Sequence, residues 1–191
     1  AAGLQIASRL KAQSSGMSVA MRNTQNATAL MQTAEGALDE MSNIVVRMKD
    51  LATQAADTGS TTKDKAAMDA EFKELGKELV NIMDNTSFGG AKLLGAAGTL
   101  SAAMTFQIGA DAAETMAVDL SAGRTLVQTS VTAAAGAGIT TGALATAQIT
   151  AMNTAIDSVG ALRSALGASA NRLEHVNNNL ANISTNTKQA T

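Results

Sequence analysis

From Ile6 to Ala55 the chain sets its seam residues four and three apart in strict alternation. They are Ile6, Leu10, Gln13, Met17, Ala20, Thr24, Ala27, Met31, Ala34, Leu38, Met41, Val45, Met48, Ala52 and Ala55. This is a heptad pattern sustained for about 50 residues, the signature of a helix whose apolar seam faces other helices. At about 1.5 Å per residue such a helix runs roughly 75 Å. A chain of 191 residues cannot enclose it, so the expectation is one member of a rod that other helices complete.

Composition fits a thin seam better than a rounded core. Hydrophobic residues make up 46% of the chain, much of it alanine, but aromatic residues only 2%, and Phe72, Phe88 and Phe106 are the whole aromatic set. Small side chains let long helices approach closely. Proline is absent, so no helix is broken by its ring.

Beyond Ala55 the segment "DTGSTTKD" interrupts the pattern. Gly59 can close the first helix, and Thr61 with Asp64 three residues later matches a capping box. A second helix follows on Met68, Phe72, Leu75, Leu79 and Ile82, and the short connection favours an antiparallel neighbour. The two glycines of "NTSFGGAKLLG" turn the chain off this helix. Met104, Phe106 and Ile108, then Met116, Val118 and Leu120, alternate with polar or small residues. Period two in two short runs joined by "GADAAE" reads as a hairpin or two neighbouring strands. Residues 121–142 are small, polar and glycine-bearing and receive no element. From Ala143 a third helix carries Ile149, Met152, Ile156, Val159, Leu162, Leu166, Ala170, Leu173, Val176, Leu180 and Ile183. The expected fold is mainly α: an elongated antiparallel helical bundle or coiled coil of two long helices and one shorter helix, with a small β-hairpin element and loop. The opening "AAGLQIASRL" resembles no signal peptide and reads as a helix already under way, while "NNNLANISTNTKQAT" stops mid-pattern. The expectation is a fragment of a longer chain.

Chemistry-bearing patterns are scarce. Net charge is −2, from 14 basic and 16 acidic residues mixed along the chain, and no basic patch marks a nucleic-acid surface. No apolar run reaches the roughly 18 residues of a membrane span. Without cysteine there are no disulfides or thiolate metal sites, and the compartment stays open. The single histidine, His175, has no partner ligand and reads as a solvated or seam-edge residue. "DAEFKE" and "EFKELGKE" read as a solvated face laced with side-chain pairs. The glycines of "SFGGAKLLG" do not follow the strand-then-helix order of a phosphate loop. No catalytic, cofactor-binding or metal residue is assigned, and the expectation is a protein that is not an enzyme.

One stretch raises a question of its own. In "VVRMKDLATQAAD", residues 45–57, the seam claims Val45, Met48, Ala52 and Ala55. Leu51 precedes Ala52 by one residue, about 100° away on the helix. Arg47, Leu51 and Gln54 share a face. Either Leu51 widens the apolar stripe toward a second helix, or it centres a surface that something binds.

"AAGLQIASRL", "MQTAEGALDEMSNIVVRMKDLATQAAD", "NTSFGGAKLLG" and "ALRSALGASANRLEHVNNNLANI", in this order, resemble bacterial flagellin over about residues 1–120 and 143–185. "QTAEGAL", "RMKDLATQAA" and "FGGAKLL" together carry the resemblance; single heptads would not. Hook-filament junction proteins share the general plan, and the "QTAEGAL…RMKDLATQ" run fits flagellin better.

The resemblance implies a structural subunit of the bacterial flagellar filament, exported and assembled outside the cell for motility. Residues 1–120 and 143–191 would be the rod-like helical core with its β element, and 121–142 a short, variable, outward-facing segment. The inner coiled-coil termini would be missing, leaving a monomer. Implied partners are other flagellin subunits, export chaperone and cap proteins, and the flagellin-sensing Toll-like receptor. The positions matching the receptor- and subunit-packing surface are Arg47, Leu51, Gln54 and Glu71. The alternative is a flagellin-like cell-surface protein that binds a polysaccharide or host ligand, or a hook-filament junction protein.

Overall fold

The computed structural model describes residues 1–190. In chain order it contains α1 (Ala2–Ala56), α2 (Thr62–Asn85), β1 (Ser87–Phe88), β2 (Ala91–Lys92), a single 3-10 turn (Thr99–Ser101), β3 (Met104–Gln107), β4 (Thr115–Val118), α3 (Ser121–Gly136) and α4 (Gly142–Ala190). The fold is mainly α, and it has one helix more than the sequence pattern indicates. Two compact units share the long helices. One holds residues 1–32, 103–119 and the chain from Leu166 on; the other holds 33–102 and 120–165.

In the first unit the start of α1 packs antiparallel to the end of α4, with Met17, Ala20 and Leu180 buried and Met21 and Val176 packed against them. The strands β3 and β4 pair antiparallel, Met104 opposite Val118 and Phe106 opposite Met116. Met104, Met116 and Val118 are buried, as the period-two pattern requires. Asn23 Nδ2 donates to the Gln107 carbonyl at 3.3 Å, tying the hairpin to α1. The hairpin loop comes so near α1 that a Cβ on Gly16 would sit 3.0 Å from that of Ala110.

From Met17 to Ala55 every expected seam residue of α1 is buried. Ile6 and Gln13 are exposed and Leu10 is half-buried. The heptad identifies which face of the first turns is apolar, but no described element covers it.

The second unit packs the rest of α1 with α2, α3 and the start of α4. Gln54, Asp57 and Ser60 form the turn after α1, where Gly59 N–H donates to Asp57 Oδ2 at 3.2 Å. The capping box is present: Asp64 N–H donates to Thr61 Oγ1 at 3.0 Å and Thr61 N–H to Asp64 Oδ2 at 3.1 Å. On α2 the buried positions are Asp69, Phe72, Gly76, Leu79 and Met83, while Met68, Leu75 and Ile82 are half-buried. The seam is therefore turned slightly from the apolar pattern. At Gly76 a Cβ would lie 3.2 Å from Ala135 Cα, so the missing side chain lets α3 approach closely. Gly89 and Gly90, at φ 60° and 84°, form the two-residue turn between β1 and β2, a conformation that favours glycine at both places.

Residues 121–142, left without an element and expected to face outward, hold α3. Its Arg124, Val127, Ser130, Val131 and Ala134 are buried, so this segment belongs to the packed unit. The spacing is helical, but two of the five buried residues are polar and none is large and apolar.

Candidate functional site

The candidate surface is built where α2 folds back along α1. Arg47 on α1 and Glu71 on α2 meet: Nη2 and Nε of the guanidinium donate to Glu71 Oε1 at 2.9 and 3.1 Å. Both side chains are about half exposed, 50% and 47%. The capped start of α2 and the tight turn before it fix this register. Gln54 lies exposed at the end of α1, two turns on from Arg47, in a shallow depression also lined by Thr53, Asp57, Ser60, Asp64, Ala67 and Met68.

Leu51 is the correction. It is 2% exposed, so it does not form the apolar centre of an outward patch. Ile44, seven residues earlier on the same face, is buried as well. Together they widen the α1 stripe beyond the heptad seam, because α1 in this unit serves more than one neighbouring helix. The four residues thus divide into an exposed polar trio, Arg47, Gln54 and Glu71, and a buried leucine beneath it.

The charged run of α2 is not uniformly solvated. Lys77 and Glu74 do pair in solvent at 2.9 Å, but Asp69 is buried, 6% exposed. Its Oδ1 accepts the Ile139 N–H at 2.8 Å and its Oδ2 lies 2.9 Å from Lys73 Nζ. Burial pushes this carboxyl up, but the Lys73 hydrogen bond, the Ile139 amide and the Lys73 charge outweigh it and leave its pKa below the ordinary 3.8. The Asp64 carboxyl is lowered by the backbone N–H and hydroxyl of Thr61. Arg124 is a further buried charge. Its Nη1 donates to the Leu94 carbonyl at 3.1 Å and to Gln128 Oε1 at 2.7 Å. The sequence pattern puts Asp69 on a solvated face and gives Arg124 no role. The one available signal was Asp69 itself, one residue from Met68 and three from Phe72.

His175 is exposed beside half-buried Val176. Among the described residues no three of His, Cys, Asp and Glu cluster as metal ligands, and no helix is long and apolar enough to cross a membrane. What this surface can offer is packing: charged and amide groups rimming helices whose seam is buried here.

Long helices drawn from both ends of one chain and packed antiparallel define a coiled-coil type of structural protein. Residues 1–99 match the bacterial flagellin N-terminal helical region and residues 149–191 the bacterial flagellin C-terminal helical region. A flagellin of Halalkalibacterium halodurans is 40% identical over 192 aligned positions, covering all of this chain and 68% of that one. Polar flagellin F of Vibrio parahaemolyticus is 46% identical over 126 residues, and B-type flagellin of Pseudomonas aeruginosa 47% over 121. Those matches span 32% and 24% of the two relatives. The chain belongs to the bacterial flagellin family. The crystal structure of Bacillus cereus flagellin superposes with a TM-score of 0.70 at 31% identity, covering 90% of this chain and 95% of that one. A putative flagellar hook-associated protein from Vibrio parahaemolyticus superposes at 0.76 with 14% identity, over 99% of this chain and 95% of that one. That second likeness concerns the fold alone.

Proposed function

We propose that this chain is a structural subunit of the bacterial flagellar filament, exported and assembled outside the cell with other copies of itself. The observation that carries this reading is the pair of flagellin regions at the two ends of one chain, folded as antiparallel helices. Copies would meet side by side through exposed polar faces such as that of Arg47, Gln54 and Glu71. On this reading the flagellin-sensing Toll-like receptor uses the same face, with Leu51 supporting it from below. Export chaperone and cap proteins are the other expected partners. Residues 121–142 stand in the place of the family's variable middle.

Electron microscopy of the full-length protein after salt-induced polymerisation tests the main claim. Regular tubes are the expected result, and amorphous aggregate at every salt concentration would overturn it.

A further inference from the structure

Residues 121–141, which comprise α3 and its connection to α4, are fastened to the second unit at both ends by a buried charge bonded to a neutral backbone group. At the first end the charge is on the segment: Arg124, 6% exposed, reaches the Leu94 carbonyl. Its Nε is buried without a hydrogen-bond partner. At the second end the charge is on the body: Asp69 takes the Ile139 N–H. Ile139 itself is fully buried. A Cβ on Gly138 would collide with the Asp69 carboxylate, so the backbone passes over that group closely enough to demand glycine there.

Between these ends the backbones approach closely at Gly76 and Ala135, but the apolar grip is small. Val127, Val131 and Ala134 are the apolar side chains that α3 buries, and Ser130 adds a hydroxyl contact to Ser158 at 3.1 Å. The large residue Leu126 is 60% exposed. Thr125, Thr129, Thr132 and two valines are weak helix formers, and the N-cap residue, Leu120, makes no side-chain cap bond. A helix of 16 residues with this composition is not stable alone in water. When it lifts away, Arg124 and Asp69 both regain hydration, which offsets part of the cost of breaking their bonds. The neighbouring helices bury the larger side chains Phe72, Leu79, Met48, Met152 and Leu162, so opening them exposes more apolar surface. Segments with few buried apolar contacts open at free energies below that of global unfolding.

We propose that residues 121–141 form a releasable strap, which lifts from α2 and α4 as one unit while the other helices stay folded, with Arg124 and Asp69 as its two latches.

Arg124 is the only lysine or arginine between Lys92 and Arg163, so trypsin reads the strap directly. In the native full chain, hydrogen exchange should show the Val127, Val131 and Ile139 amides opening together, ahead of Phe72, Leu79 and Val159. Asp69→Ala should raise the rate of cutting after Arg124 by about tenfold or more, the factor carried by one charge-assisted hydrogen bond. Asp69→Asn, which keeps an acceptor without the charge, should fall between. Cutting after Arg163 should not change. If cleavage after Arg124 and Arg163 rises in step, Asp69 holds the whole unit and the strap is wrong. Should the variants fail to fold, the unaltered chain still decides. Exchange of the α3 amides at the rate of those in α2 would overturn the proposal, and earlier, concerted exchange would support it.

Discussion

The guanidinium of Arg47 crosses from α1 to hold one carboxylate oxygen of Glu71 on α2 with two nitrogens, at 2.9 and 3.1 Å. Half exposed on both sides, such a pair adds little to stability, typically about 0–1 kcal/mol. Arg47→Ala and Glu71→Ala should each shift the urea midpoint only slightly, and a double-mutant cycle should return a coupling below about 1 kcal/mol. If the proposed receptor face is right, the same substitutions should weaken receptor binding by about 1–3 kcal/mol, as truncations of interface anchors do. A titration with unchanged affinity would remove these residues from the binding face.

Leu51 should behave in the opposite way. Fully enclosed leucines cost about 2–5 kcal/mol when cut to alanine, and Leu51 is 2% exposed. Leu51→Ala should therefore unfold at clearly lower urea concentration, and any loss of binding should follow the loss of structure. A variant that melts like the parent would restore the surface reading of this residue.

The same comparison tests where the seam is functional as a core. Leu38 is wholly buried and Ile6 is 59% exposed, although both obey one heptad. Leu38→Ala should cost about 2–5 kcal/mol, while Ile6→Ala should stay within about 0.5 kcal/mol. Equal shifts from the two would mean that the start of α1 is covered in solution.

These contrasts show what the sequence could carry. The seam from Met17 to Ala55 was legible because apolar spacing alone defines it, and so were the capping box at Thr61 and Asp64 and the β3–β4 alternation. Ile6 satisfied the spacing yet lies in solvent, since periodicity marks an apolar face without saying what covers it. Leu51 was ambiguous because a heptad describes one contact line, and α1 in this unit needs a wider one. On α2 the buried line includes Asp69 and Gly76, which no apolar pattern would select. α3 was hidden for the same reason: Arg124 and Ser130 occupy core positions, and their partners, the Leu94 carbonyl and Ser158, lie far away in sequence. Arg47 and Gln54 share a face by spacing alone, but Glu71 joins them only through the resemblance, because the Arg47–Glu71 contact depends on the α1–α2 register.

Asp69 makes stability depend on acid in a defined direction. Its pKa in the folded protein lies below the ordinary 3.8. A carboxyl lowered on folding contributes stability that is fully present above its unfolded pKa, about 3.9. That contribution fades as pH falls through the folded value. The unfolding free-energy difference between the parent and Asp69→Asn should thus be constant from about pH 7 to pH 5 and shrink below pH 4. Urea titrations across that range measure it. A difference that grows on acidification would show that burial, not the Lys73 and Ile139 contacts, dominates this carboxyl.

The glycines of the helices provide the last test, because identical substitutions should change sign with their surroundings. Gly36 on α1 and Gly160 on α4 are exposed, and a Cβ at either would meet nothing within 4 Å. Alanine there removes conformational freedom from the unfolded chain and improves helix propensity, so Gly36→Ala and Gly160→Ala should each stabilise by about 0.5–1 kcal/mol. At Gly76 the same propensity gain applies, but the new methyl would lie 3.2 Å from Ala135 Cα and 3.6 Å from Met48 Cε. The methionine tip can turn aside; the α3 backbone can yield only by moving the helix. Overpacking of this kind costs about 1–3 kcal/mol, which exceeds the propensity term. Gly76→Ala should therefore be net destabilising, and its effect should fall most heavily on the α3 amides in hydrogen exchange. If all three variants melt above the parent, α3 does not sit against α2 as closely as Gly76 and Ala135 indicate.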